Sequence, residues 1–144
     1  MVVRRIEKEV TGDHFRRLNP TICYFRFRYR IVPTGNLMAV EAVNGAPDDP
    51  GVAMWFAEFA SGIASAAESH LEHTGERPGG FRVELLWVGW HDIDTHSRCV
   101  RMETSAFLEY VLRMHGVRVP PAAPAAPSPP LTPSPPSTNI GLPD

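Results

Sequence analysis

FRVELLWVGWHDIDTH, residues 81–96, begins as an alternating apolar segment, passes through Trp87, Gly89 and Trp90, and ends in a polar stretch with two histidines and two aspartates. Phe81, Val83 and Leu85 fall on one face of a period-two pattern, as in a half-buried strand, predicted over residues 81–88. The segment from Trp87 through Gly89 to Trp90 is predicted to turn the chain out of that strand. His91, Asp92, Ile93, Asp94, Thr95 and His96 then form a loop whose side chains are nearly all able to hydrogen-bond.

Working outward, the clearest strand lies between Cys23 and Ile31. Cys23, Phe25, Phe27, Tyr29 and Ile31 share one face, while Tyr24, Arg26, Arg28 and Arg30 share the other. One side is therefore core and the other wet. Residues 2–10 read as a polar edge strand broken by Thr11-Gly12-Asp13, and Pro33 to Asn36 turns the chain into a strand over 37–43. Val52, Trp55, Phe56, Phe59, Ile63, Ala66 and His70 recur at helical spacing, predicting an amphipathic helix over 52–73 that Thr74-Gly75 stops. A second helix is predicted over 98–115, with Phe107, Tyr110, Val111 and Met114 inward and Gly116 at the C′ position. The order βββαβα, with apolar alternation on one sheet face, predicts an α+β two-layer sandwich: a four-stranded sheet with two helices on one face.

Aligned without a gap, residues 81–96 resemble the strand and tip loop of domain IV in translational GTPases of the elongation factor G type, whose pattern reads V-K-V-T-L-V-D-G-S-Y-H-D-V-D-S-S. Phe81, Val83 and Leu85 fall on its apolar positions, and His91 to Thr95 on its H-D-V-D-S. The family's next helix, S-E-M-A-F-K-I-A, aligns with His96 to Glu103. Phe59-Ala60-Ser61-Gly62-Ile63 is similar to a step in its first helix. Asn19-Pro20 and the end of the second helix, Val111 to Gly116, are similar to the tetracycline ribosomal protection branch. The resemblance spans about residues 2–118. It implies a left-handed βαβ crossover, a stand-alone domain IV-like module, and contact with the ribosome or rRNA through the loop 88–98, with a separate GTPase subunit as companion; the alternatives are a protein-interaction module that keeps the fold without ribosome binding, or a remnant of a ribosomal protection or elongation factor.

That contact would be non-enzymatic. Trp90, His91, Asp92, Asp94, Thr95 and His96 offer a stacking face, imidazoles and hydroxyl or carboxylate groups suited to ribose, base and phosphate. The alternative is a turn whose aspartates satisfy its own backbone. His96-Ser97-Arg98 departs from the Ser-x-x-Glu capping box of the family, which leaves the helix start undefined. Arg26, Arg28, Arg30 and Arg82 either form a phosphate-binding platform or pair with Glu7, Glu9, Glu41 and Glu84 as a solvated face.

Other chemistries find little purchase. There is no phosphate-binding loop, GxSxG elbow or HExxH helix, so neither a GTPase nor another enzyme is expected, and no cofactor. The His/Asp loop lacks a further ligand at metal spacing, and His70-x-x-His73 has no upstream Cys pair, so no metal is expected. A Cys99 nucleophile with His91 or His96 as base is formally possible. Cys23 and Cys99 have no disulfide-framework spacing and read as packing residues in a reducing cytosol. The net charge of −2 gives no global basic field. The absence of an apolar run of about 18 residues or of a leader-like start predicts a cytoplasmic chain without membrane contact. Oligomeric state is not legible. Ten of the fifteen prolines fall between 120 and 144, so a domain over 1–118 and a disordered Pro/Ala/Ser-rich tail over 119–144 are expected.

Overall fold

The computed structural model of the protein describes residues 1–16 and 23–120. The expected tail from residue 121 onward therefore lies outside the described residues, as do Asn19 and Pro20. The elements run β1 (Val3–Arg5), β2 (Val10–His14), β3 (Phe25–Pro33), β4 (Val40–Asn44), α1 (Pro50–Thr74), β5 (Arg77–Pro78), β6 (Phe81–Trp90), α2 (Ser97–His115) and β7 (Val117–Val119). Val119, assigned to the tail by composition, thus closes a strand.

A four-stranded sheet has the order β2-β3-β6-β4. β3 pairs antiparallel with β2 and β6, and β4 lies parallel to β6, so α1 spans a βαβ crossover. Both helices cover one face, where Phe25, Phe27, Tyr29 and Ile31 of β3 join Phe59 of α1 and Phe107 of α2 in one core. The predicted α+β two-layer architecture is the one observed. Phe27 sits at its centre, edge-on to Phe59 at 5.4 Å and to Phe107 at 4.9 Å between ring centroids. Such aromatic pairs contribute about 0.5–1.5 kcal/mol each beyond the area they bury.

A second, three-stranded sheet in the order β5-β1-β7 was not expected. The single edge strand predicted over 2–10 is divided between the two sheets, and β2 runs straight through Thr11-Gly12-Asp13. Gly12 does not break the strand because it faces Tyr29 across the ladder, where a Cβ would lie 2.7 Å from the phenolic oxygen. The bare glycine is what lets the Tyr29 ring cross there. Around the small sheet, Glu76 collects Arg4 at 3.1 Å, Arg118 at 2.8 Å and His70 at 3.3 Å. β4 begins at Val40, later than predicted, because the Asn36 side chain accepts from the Met38 N–H at 3.0 Å and folds 36–38 into a turn.

α1 starts where Asp49 accepts from the amides of Gly51 and Val52 at 2.8 and 3.1 Å, with Pro50 in the first turn. It stops at Gly75, whose φ of 75° is left-handed. Gly62 lets α2 approach closely, since a Cβ there would lie 2.7 Å from that of Thr104. On α2 the inward face is Val100, Glu103, Thr104, Phe107, Leu108, Val111 and Leu112. Tyr110 and Met114, predicted inward, are exposed, because Leu108 and Leu112 rotate the buried stripe toward α1. Gly116 is not left-handed either, at φ −71°; it is needed for space beside Arg4 and the Leu112 carbonyl.

Candidate nucleic-acid interface

The strand β6 does not turn at Trp87. It continues to Trp90, with a bulge in the middle: Tyr29 pairs with Leu85 and Arg28 with Trp87, leaving Leu86 as an extra residue. The inward positions therefore pass from Phe81, Val83 and Leu85 to Val88 and Trp90. Trp90 packs against Trp55, ring centroids 5.9 Å apart, and is half-buried, so it does not offer the free stacking face expected of it. Trp87 is instead swung onto the solvent face of the sheet.

Beyond Trp90, residues 91–96 form a loop whose backbone is tied down, and only the side chains of residues 91–94 are left without a role in holding it. Thr95 is buried, and its hydroxyl accepts from the His91 N–H at 2.9 Å while donating to the Tyr24 carbonyl. The Tyr24 N–H in turn donates to the Asp94 carbonyl at 3.1 Å. Thr95 is thus a clamp, not an exposed contact. His96 is the N-cap of α2: its Nδ1 accepts from the Cys99 N–H at 3.2 Å, filling the role left open by the missing capping box. That bond requires an unprotonated Nδ1.

Next to the cap, Cys23 and Cys99 form a disulfide with 5.5 Å between Cα atoms, which corrects the expectation of two packing thiols. Sequence spacing carried no sign of it because the pair is 76 residues apart and meets only when the segment leading into β3 lies beside the first turn of α2. The disulfide also removes the Cys99 nucleophile. Oxidised pairs belong to oxidising surroundings, so the cysteines lend no support to a reducing compartment.

The side chains left for contact are His91, Asp92, Ile93 and Asp94, around an open depression of about 410 Å³ that Trp90 also lines. Ile93 is 90% exposed. The His91 ring stacks on Tyr24, centroids 3.9 Å apart and nearly parallel, and its Nδ1 lies 3.7 Å from the Asp94 carboxylate. Tyr24, just before β3, was missed as a neighbour of the loop, although the alternation over 23–31 put it on the same face as the arginines. Among the described residues no group of three or more His, Cys, Asp or Glu is arranged to hold a metal.

The four arginines do share the outer sheet face, but they divide. Arg30 and Arg82 converge on Glu84 at 2.7 and 3.1 Å, and Arg30 also reaches Glu9 at 3.7 Å. Burial would raise the Glu84 carboxyl, yet hydrogen bonds from Arg30 and Arg82 hold it below the ordinary carboxylate range. This half of the face is self-neutralised, as the salt-bridge alternative anticipates for Glu9 and Glu84. Arg28 meets Asp13 at 3.2 Å with both side chains substantially exposed, and Arg26 makes no ion pair among the described residues.

A Thermus thermophilus protein of known crystal structure is similar over 81% of this chain, with a TM-score of 0.57 and 18% sequence identity; the chain spans 18% of that protein's length. The likeness establishes the fold. No protein-family model matches the chain, and no curated protein sequence does. Among the described residues, no helix is long and apolar enough to cross a membrane.

Proposed function

We propose that this chain is a domain IV-like module of the elongation factor G type that contacts the ribosome through its 88–98 loop and makes no bonds of its own. The observation that carries the reading is the loop's construction. Thr95, Tyr24 and the Cys23–Cys99 disulfide hold the backbone, while His91, Asp92, Ile93 and Asp94 project from it. A loop ordered before it binds loses little entropy on contact, which suits positioning. The resemblance of residues 81–96 to the domain IV tip supports the same reading, and so does a fold shared with part of a much longer protein. A separate GTPase subunit is the companion this function calls for.

The exposed Ile93 favours a second reading, in which the tip enters an apolar cleft of a protein partner. Co-sedimentation with ribosomes through sucrose gradients separates the two. The wild type is expected to travel with ribosomes at low salt and to dissociate at high salt, and His91→Ala/Asp94→Ala to remain at the top of the gradient. Thr95 and His96 are left intact because they hold the fold. Sedimentation unaffected by the double substitution overturns the tip-loop reading, and its absence in the wild type favours the protein partner.

A further inference from the structure

The β6 bulge creates a second surface, built from residues outside the loop. Because Leu86 is the extra residue, Trp87 shares the outer face with Arg26 and Arg28, to which β3 brings it close. Arg28 is its cross-strand partner and Arg26 lies opposite Gly89. The indole lies across Gly89, where a Cβ would meet it at 2.9 Å. The two guanidinium groups flank the ring, each 5.8 Å from its centroid. Arg26 also lies 5.9 Å from the Phe15 ring, which approaches Tyr24 at 5.3 Å, and Tyr24 stacks on His91. A row of ring faces and guanidinium planes therefore runs along the outside of β3 from mid-sheet to the tip loop.

We propose that this Arg26–Trp87–Arg28 platform binds single-stranded RNA, with one base on the Trp87 indole and the adjoining phosphates on the two arginines. A large aromatic group left on a wet sheet face is well placed for stacking, which every base accepts. Arg26 has no ion pair among the described residues, and Arg28 has only an exposed one, so both can serve a phosphate. Arg30 and Arg82 are committed to Glu84 and mark where the platform ends. Double-stranded RNA keeps its bases stacked inside and cannot use the indole. The proposal shares with the tip-loop reading the premise of an RNA partner, but uses different residues.

The test is fluorescence anisotropy with a labelled, unstructured oligouridylate over a range of salt, with the full chain and variants whose melting curves match the wild type. Trp87→Ala is expected to weaken binding roughly tenfold, the scale of losing one base–aromatic stack, with Trp87→Phe recovering much of it. Arg26→Ala/Arg28→Ala is expected to flatten the slope of log affinity against log salt by about 1.4, for two phosphates of a single strand. Arg30→Ala should leave affinity unchanged. No measurable binding by the wild type at low salt overturns the proposal. Trp87→Ala binding as well as wild type does too, as does a duplex of the same length binding as tightly as the single strand. The oligouridylate arm decides this platform, whereas ribosome sedimentation of His91→Ala/Asp94→Ala decides the tip loop, so either can fail alone.

Discussion

Replacing Thr95 by valine keeps the side chain's shape and removes only its hydroxyl. In the folded protein that hydroxyl accepts from the His91 N–H at 2.9 Å and donates to the Tyr24 carbonyl. Valine leaves both main-chain groups without a partner beneath a residue that is only 6% exposed. A donor or acceptor stranded in that way costs about 1–1.5 kcal/mol when water can partly reach it, so roughly 2–3 kcal/mol is expected in total. For a domain of this size that is a fall in melting midpoint of about 10 °C. Thr95→Ser keeps both hydrogen bonds and loses one methyl group, at about 1 kcal/mol. Urea unfolding at neutral pH, followed by far-ultraviolet circular dichroism, measures the differences. A Thr95→Val protein as stable as the wild type within about 0.5 kcal/mol, yet unable to sediment with ribosomes, would show that the hydroxyl faces the partner and refute the clamp.

His96→Ala should cost about 1 kcal/mol through loss of the α2 cap, and His96→Asn should restore most of it, both read from urea midpoints. Reducing the Cys23–Cys99 disulfide, or substituting Cys23→Ser/Cys99→Ser, removes a cross-link over a separation of 76 residues; a loss of up to about 4.5 kcal/mol is expected, with the variant's melting insensitive to reductant. Burial would raise the Glu103 carboxyl, but hydrogen bonds from His14 and Arg16 hold it below its ordinary value of 4.5. The stability it contributes is therefore complete above that pH and lost as pH falls through the lower folded value, and Glu103→Gln should flatten the acid limb of a stability–pH curve measured by urea midpoints.

Periodicity determined much of this fold, because a strand or helix with one buried face must repeat its apolar residues at the period of its backbone. The inner and outer faces of β3, the α1 stripe from Val52 to His70 and its stop at Gly75 all follow from local rules and match the structure. The tip loop was legible as a feature, though not in its division of labour. Thr95 and His96 resembled contact residues, but whether a hydroxyl or an imidazole faces solvent or the chain's own amides depends on Tyr24 and the α2 terminus. The disulfide was invisible for the same reason, since it joins elements that only the fold brings together. The bulge at Leu86 shows the limit most directly. Face assignment from alternation assumes an unbroken register, and one unpaired residue reverses it for everything downstream, turning Trp90 inward and Trp87 outward. Which residue of a strand is left unpaired is set by the partner strand and the packing beneath it, so only the tertiary structure could place the indole between Arg26 and Arg28.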